Sequence, residues 1–413
     1  MKRDTIIIGG GLSGLTCGIA LARAGKRVAI VGTGQSTLHF GGGSLGLLGM
    51  VDGKPVERPL EAMTSLPAAH PYSKIGHASI AALATEAASL LTSAGIPVTG
   101  DAQRNHYRLS PIGVAMEAWL TLPGYFTIDN LDELQGKQVA VANIIGFNDL
   151  PSAMLCDGLR QLGCTVNEHA ITTPQLMEWR RTPSEMRATN VSRLLAHDDV
   201  LNAIAAELTR CARDAQLVLI PAVVDMLDGD ALERLTAAVG HPVRLVATLP
   251  PSLGGARIQE HLVSAFTAAG GTYLLGDTVT GATGKEGHID ALHTANLGEN
   301  ALTATNYVLA TGSFLSRGLV ANYYGITEPI FGLDTNAPAD REQWTQFGIL
   351  EPQQALTYGV LTDDQFRGIA GGKAIDNLRV IGSILSDHDT LGMGDGGGVD
   401  MLTALHVAHA LLN

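Results

Sequence analysis

The sequence predicts an α/β fold built on a parallel, Rossmann-type sheet. Near the N-terminus a short apolar run at 5–8 is followed by a glycine-rich turn, a helical pattern and a second apolar run at 27–31. A later apolar strand, 307–309, ends in a turn of small residues. Between residues 138 and 224 strand and helix patterns alternate, which is typical of a second α/β unit.

The turn after the first predicted strand matches the GxGxxG pattern at Gly9, Gly11 and Gly14. Gly9 permits the tight turn, Gly11 lets the backbone approach a phosphate, and Gly14 lets the helix pack close to the sheet. A helical pattern follows at Leu15, Ile19 and Ala22, and the free N–H groups and partial positive charge of the helix N-terminus favour an anion. Because strand, turn, helix and second strand all fit, the pattern predicts nucleotide binding rather than a purely structural turn.

One expected part of this nucleotide motif is missing. An Asp or Glu normally ends the second strand and binds the adenosine ribose, whereas this chain reads Val31, Gly32, Thr33 and Gly34. Either the ribose is held in another way, or the ligand has no adenosine half. Flavin mononucleotide (FMN) has none.

Two further glycine-rich loops are candidates for contact with a phosphate or a flat ring. The first spans 39–45, with His39 and Ser44 as its polar side chains, and its alternative interpretation is a flexible connection. The second spans 392–399 and precedes an amphipathic helix whose N-terminus can face an electron-rich ring edge. It carries Asp395, where an uncharged residue is expected; this carboxylate either lowers the potential of a flavin, points away or caps the helix.

Arg257 stands at the start of a helix predicted at about 258–269. A cation is unfavourable at a helix N-terminus, and a bound anion there would remove the conflict. The alternative is an exposed side chain or a salt bridge. The segments 270–279 and 287–293 are predicted to be strands of one sheet closed by a turn.

Composition excludes several classes of protein and site. The 413 residues include 27 Lys and Arg against 40 Asp and Glu, so the net charge of −13 argues against nucleic acid or an anionic lipid surface as a direct partner. The four cysteines form no CxxC pair and no pattern of metal ligands, so we expect free thiols and no metal. No run of 18 apolar residues predicts a transmembrane helix.

The whole chain resembles the family of the anaerobic glycerol-3-phosphate dehydrogenase B subunits. The order and spacing of the matching stretches extend over nearly all 413 residues. Besides the glycine fingerprint, these stretches are residues 35–40, 69–73, 249–252, 309–314, 381–384 and 396–399.

The resemblance implies a flavoprotein with a two-dinucleotide-binding-domain-like FAD/FMN domain. FMN is the cofactor assigned in the family, with FAD as the alternative. It also implies a larger FAD-containing catalytic subunit and an iron–sulfur subunit that docks the pair on the cytoplasmic face of the inner membrane. Such a complex oxidises sn-glycerol 3-phosphate to glycerone phosphate during anaerobic growth and passes electrons to quinone.

We predict a discontinuous flavin domain from residues 1–100, 246–320 and 370–413, an inserted α/β domain at 101–245, and a connecting segment, 321–369, near the flavin. The residues predicted to contact the flavin are Gly9, Gly11, Leu12, Ser13, Gly14, Gly32, Thr33, Ser36, Phe40, Gly43, Ser44, Ala310, Thr311, Gly312, Gly382, Ser383, Gly397, Gly398 and Val399.

Two other functions stay open. In a self-sufficient flavin dehydrogenase or reductase, His39, Arg257 and His388 would be the catalytic candidates, acting as base or substrate clamp over the flavin. In a flavin-free scaffold the fold would persist without a cofactor, although empty glycine cradles cost backbone entropy.

Overall fold

The computed structural model describes residues 2–180, 186–224, 227, 229–285, 287–348 and 351–413. The strands in these ranges, numbered along the chain, are β1 (Lys2–Ile8), β2 (Val28–Gly32), β3 (Ser44–Leu45), β4 (Met50–Val51), β5 (Lys54–Pro55), β6 (His106–Leu109), β7 (Ala115–Ala118), β8 (Leu120–Thr121), β9 (Thr127–Ile128), β10 (Gln138–Ile144), β11 (Thr165–Ile171), β12 (Leu217–Pro221), β13 (Val243–Val246), β14 (Thr272–Leu275), β15 (Val279–Lys285), β16 (His288–Thr294), β17 (Thr303–Leu309), β18 (Val320–Ala321), β19 (Ile326–Thr327), β20 (Arg367–Ala370) and β21 (Lys373–Val380). The helices are α1 (Leu12–Arg23), α2 (Pro59–Ala62), α3 (Pro71–Ile75), α4 (His77–Ser93), α5 (Ser152–Gln161), α6 (Pro174–Trp179), α7 (Ala188–Leu195), α8 (Asp198–Cys211), α9 (Ala231–Val239), α10 (Leu253–Ala268) and α11 (Gly396–Leu412).

The larger sheet has six strands in the order β14-β2-β1-β17-β21-β20. All neighbours are parallel except β20, which runs antiparallel at the edge. Ile8 pairs with Val31 on one side and Leu309 on the other, so the carboxyl ends of three strands meet at one edge. This confirms the predicted Rossmann-type sheet, and it places the predicted strand at 307–309 directly beside the first.

Helix α1 is buried on almost every side, which explains its apolar composition. It packs between α10 and α11 and against the sheet. A Cβ atom at Gly18 would lie 2.8 Å from Ile30 Cδ1 and 3.0 Å from Phe266 Cε2. Glycine at this position therefore lets α1 approach both β2 and α10.

A second, four-stranded parallel sheet has the order β11-β10-β12-β13. Strands β10, β11 and β12 and the helices α5 and α8 lie where the alternating pattern predicts them, whereas α9 and β13 were not predicted. Ser44 nevertheless pairs with Thr121, so part of the predicted insertion is hydrogen-bonded to the N-terminal segment. The division into 1–100, 101–245, 246–320, 321–369 and 370–413 remains our proposal.

Two predicted elements differ from the structure. Helix α10 begins at Leu253, because the Ser252 hydroxyl accepts a hydrogen bond from Gly255 N. Arg257 therefore lies inside the helix, not at its start, and it forms an ion pair with Glu260 at 2.7 Å. The predicted pairing of 270–279 with 287–293 is wrong: β14 joins the large sheet beside β2, and β15 is the strand that pairs with β16.

The thiols are free, as predicted. Cys17, Cys156 and Cys164 are buried and Cys211 is half-buried. Burial raises the pKa of Cys17 to about 12. Within the described ranges, no helix combines the length and apolar character needed to cross a bilayer, and no group of three potential metal ligands occurs.

Candidate functional site

A cleft of about 730 Å³ opens at the carboxyl edge of the large sheet. This is the edge where parallel α/β sheets bind ligands. Its lining comes from the ends of β1, β2, β14 and β17 and from the start of α11. The residues are Ile8–Ser13, Val31–Thr37, Asp277–Thr280, Ala310–Gly312, Leu315–Arg317, Val320, Pro329, Ile330, Ser383 and Asp400.

Glycine occupies the three fingerprint positions for different physical reasons. A side chain at Gly9 would clash with the backbone of Ala310, and one at Gly14 would clash with the carbonyl of Gly9. At Gly11, by contrast, a Cβ atom would meet only Ser36 Cβ at 3.8 Å. Packing within the chain therefore requires Gly9 and Gly14 but not Gly11, whose open face points into the cleft.

The N-terminus of α1 is free to bind an anion. Gly11 is its N-cap, so no side chain accepts a hydrogen bond from the first turn, and no acidic residue lies in that turn. The first N–H groups of a helix need an acceptor, and the helix dipole favours a negative one. A phosphate group in the cleft would supply both the acceptor and the charge.

The part of the lining next to Ser13 presents hydroxyl and carboxylate groups. Ser383 donates from its backbone N–H at 2.9 Å and its hydroxyl at 3.0 Å to Asp400 Oδ1. Burial raises the pKa of Asp400 to about 6. The Thr311 hydroxyl is buried and has no hydrogen-bond partner in the described structure. These groups can bind the hydroxyls of an extended ligand.

The sequence analysis missed several residues of the lining. Asp400 follows the last glycine run by two residues and could have been found as the first polar side chain of that helix. Arg317 is the one basic side chain among the described residues that line the cleft, and it has a left-handed backbone with φ 62°. Gln35, Thr37 and Asp277 were also missed; nothing local distinguishes them from ordinary turn residues.

The part of the cleft beside the end of β2 has no carboxylate at the position where a Rossmann-type strand normally carries one. Asp277, which follows β14, is nearby in the lining. Its Oδ1 atom already accepts from the backbone N–H groups of Thr278 at 2.8 Å and Asn296 at 3.0 Å. The cleft nonetheless continues past Thr33 to Thr280, beyond the α1 N-terminus.

Other predicted contact residues lie outside the lining. Phe40 is exposed, and Ser44 pairs with Thr121. Gly397 packs against Leu45, and a side chain at Gly398 would clash with the Tyr72 hydroxyl. The remaining ones are Gly14, which packs against the Gly9 carbonyl, Gly43, which packs against Tyr125, Gly382, which lies under Ser13 and Asp400, and the buried Val399.

The three predicted catalytic residues do not line the cleft either. His39 is half-buried in a short 3₁₀ turn, and its carbonyl accepts from Ser252 N. Arg257 is paired with Glu260, as described above. His388 is buried beside Asp395. Their catalytic role stays a prediction.

Asp395 is the centre of a buried cluster with two histidines. Its two carboxylate oxygens lie 3.2 Å from His70 Nε2 and 3.2 Å from His388 Nδ1, and all three side chains are buried. Burial alone would lower the pKa of His388, but the charge and hydrogen bond of Asp395 raise it above the usual value. The two histidines in turn hold the pKa of Asp395 well below its usual range, against the effect of burial.

Comparisons with known proteins give one consistent result. A family model described as FAD binding domain matches residues 4–399. The chain is 41% identical to the B subunit of anaerobic glycerol-3-phosphate dehydrogenase from Yersinia enterocolitica, covering 100% of this chain and 99% of that protein. It is 38% identical to the corresponding protein of Pectobacterium atrosepticum, with 100% and 99% covered. Among solved structures, 3-ketosteroid Δ1-dehydrogenase from Sterolibacterium denitrificans is 12% identical, with 100% and 99% covered and a TM-score of 0.41.

Proposed function

We propose that this chain, which belongs to the family of the anaerobic glycerol-3-phosphate dehydrogenase B subunits, is a flavin-bearing redox subunit for the oxidation of sn-glycerol 3-phosphate to glycerone phosphate. The observation that carries the proposal is the α1 N-terminus. It is uncapped, free of acidic residues and open to the cleft at Gly11, the one fingerprint glycine that internal packing does not require.

The cleft residues fit a flavin nucleotide. The N–H groups of Leu12 and Ser13 would hold a phosphate, with Arg317 supplying the balancing charge. The Thr311 hydroxyl and the Asp400 carboxylate would hold hydroxyl groups of the ligand. A bound flavin would supply the capacity to accept electrons from a C–H bond.

This chain's own residues would orient the cofactor and exclude water from it. Among the described residues of the lining there is no histidine or lysine, and the two carboxylates are Asp277 and Asp400. The described cleft wall therefore offers no imidazole or amine as a base for the substrate hydroxyl. This favours an electron-transfer subunit over a self-sufficient dehydrogenase that uses His39, Arg257 and His388.

Two observations point to different flavins. The continuation of the cleft from the α1 N-terminus to Thr280 favours FAD, because FMN has no half that would fill that end. The missing carboxylate at Thr33 favours FMN. Chromatography of the flavin released by denaturing the purified chain decides between them. Release of FAD alone would exclude FMN, and a colourless folded protein that takes up neither flavin would overturn the proposal in favour of a scaffold.

We further propose that the chain works with an FAD-containing catalytic subunit and an iron–sulfur subunit, docked at the cytoplasmic face of the inner membrane, with quinone as the electron acceptor. The support is that its relatives are named as one subunit of a larger enzyme. The test is reduction of the bound flavin by glycerol 3-phosphate under anaerobic conditions. Reduction only in the presence of the partners supports this proposal, and full reduction of the isolated chain would favour the self-sufficient enzyme.

A further inference from the structure

We infer that a second anion site lies outside the nucleotide cleft, where Arg108 faces the glycine turn 41–43, and that it binds the phosphate group of a phosphate monoester substrate. The inference rests on the proposed function, which supplies glycerol 3-phosphate as the probe. None of the described residues named for this site lines the cleft itself.

Arg108 carries an uncompensated charge. It lies in β6, is half-buried, and its Nη1 atom is 3.2 Å from the position that a Cβ atom of Gly42 would take. Ala247 Cβ lies 3.3 Å from the same position, so the guanidinium is close to the end of β13. Within the described ranges no carboxylate pairs with Arg108. Burial of the guanidinium lowers the pKa of Arg108.

Tyr125 adds an unsatisfied donor next to this charge. Its side chain is 6% exposed, and its hydroxyl is buried without a hydrogen-bond partner in the described structure. The hydroxyl is 2.7 Å from the Cβ position of Gly43 and 2.6 Å from that of Gly254. It therefore points between the glycine turn and the first turn of α10.

The N-terminus of α10 lies at the same place. The helix has 16 residues, so its dipole is fully developed at Leu253 and Gly254. The Ser252 hydroxyl accepts from Gly255 N and the Ser252 carbonyl accepts from Ala256 N, which leaves the N–H groups of Leu253 and Gly254 without an intrahelical acceptor. A long helix start, a buried phenol without a partner and a desolvated arginine converge here. We expect one tetrahedral anion to accept hydrogen bonds from all three groups.

The Arg108 site is connected to the cofactor cleft through one short segment of chain. Ser36 lines the cleft, and its N–H and hydroxyl donate to Gln259 Oε1 of α10 at 3.1 and 2.9 Å. The segment from Ser36 to Gly43 thus connects the cleft with the Arg108 site. A phosphate held at Arg108 would fix one end of a small substrate beside the cofactor domain, a positioning role that leaves the chemistry to other groups.

The experiment measures binding to the purified full-length chain with its flavin by isothermal titration calorimetry. The probes are sn-glycerol 3-phosphate, inorganic phosphate and glycerol. We expect the two phosphates to bind and glycerol not to bind. R108Q should weaken phosphate binding by about tenfold or more, as expected for loss of a charge-assisted hydrogen bond. Y125F should weaken it several-fold, since only one neutral donor is lost.

Arg104→Gln is the matched control. Arg104 lies on the approach to the same strand, but it is exposed and paired with Glu57 at 3.0 Å. This variant should bind both phosphates as the wild type does. R108Q should fold normally, because it removes a charge that has no partner; if it does not fold, Y125F carries the test.

Three results would overturn the inference: no phosphate binding by the wild-type chain, equal binding by R108Q and wild type, or loss of flavin from R108Q. The last result would make Arg108 a ligand of the flavin's own phosphate. Flavin content is measured separately, so a flavin-free chain that still binds phosphate through Arg108 would refute the proposed function while supporting this site.

Discussion

Replacing Asp395 by asparagine removes a negative charge from the centre of the buried histidine cluster with little change in shape. His70 Nδ1 accepts a hydrogen bond from Tyr72 N, so its Nε2 atom carries the proton and donates to Asp395. The asparagine oxygen can keep that bond. Its NH₂ group then faces His388, whose Nδ1 atom must become an unprotonated acceptor. The substitution therefore removes the charge from both members of the Asp395–His388 pair.

The cost follows from the burial of the pair. Breaking a buried ion pair costs about 3–5 kcal/mol. Two neutral hydrogen bonds retained by the amide each return about 1 kcal/mol. We therefore expect D395N to lower the free energy of unfolding by about 2 kcal/mol under conditions where the wild-type pair is charged.

The pH dependence has a defined sign. The pKa of Asp395 is below its ordinary value of 3.8, so the stability it contributes is present above that value and is lost as the pH falls through the lowered pKa. The pKa of His388 is above its ordinary value of 6.5, so its contribution is complete below 6.5 and is lost as the pH rises through the raised pKa. The Asp395–His388 pair therefore contributes its full stability between pH 3.8 and pH 6.5.

The assay is urea unfolding followed by circular dichroism at about pH 5.5 and about pH 9. The gap between wild type and D395N should be largest at the lower pH and narrow at the higher one. Glu86→Gln is the control, because Glu86 and His409 form a similar pair at 3.0 Å with side chains 40% and 47% exposed. It should cost about 1 kcal/mol or less. A D395N gap that is no larger than that of the control, or that is equal at both pH values, would refute the reasoning.

Three further predictions concern other parts of the molecule. G11A should lose flavin while its melting temperature stays near the wild-type value, whereas G14A should lower the melting temperature because its side chain would clash with Gly9; flavin absorbance and thermal unfolding check both. The pKa of Asp400 is raised to about 6, so wild-type apoprotein should lose stability as the pH rises from about 4 to about 6, and D400N should lack this loss in a pH series of melting temperatures. Iodoacetamide should label Cys211 first in the native protein and Cys17 only after unfolding, as peptide mass spectrometry would show.

The sequence predicts best those elements that follow one another closely along the chain, because their patterns are local. β1, α1 and β2 follow one another with short turns, and both strands are continuous apolar runs because both faces of the sheet are covered. Strand β17 could be assigned to the same sheet because it also ends in small residues at the cleft edge. The position of β14 could not be predicted, since an apolar run does not reveal which neighbour it will pair with.

The site was harder to predict because its contacts join distant segments. His70 and Asp395 are separated by 325 positions, and neither lies in a sequence motif that would predict their contact. Sequence reasoning left open whether Asp395 lies beside a flavin, points away or caps the helix, whereas in the structure its carboxylate faces two imidazoles. Arg108 shows the same limit, because its significance depends on the absence of a paired carboxylate within the described ranges and on the proximity of Gly42.

Glycine-rich loops show most clearly why the sequence could not separate ligand contact from packing. Gly11 and Gly398 both stand at the beginning of a buried helix and look equivalent in the sequence. A side chain at Gly398 would clash with Tyr72, and its N–H donates to the carbonyl of Gly46, so the chain itself uses this glycine. At Gly11, by contrast, no described residue occupies the position that a side chain would take. The two glycines are thus present for different reasons: Gly398 is required by packing within the chain, and Gly11 is not. Only the positions of the neighbouring atoms show which helix N-terminus is available to a phosphate.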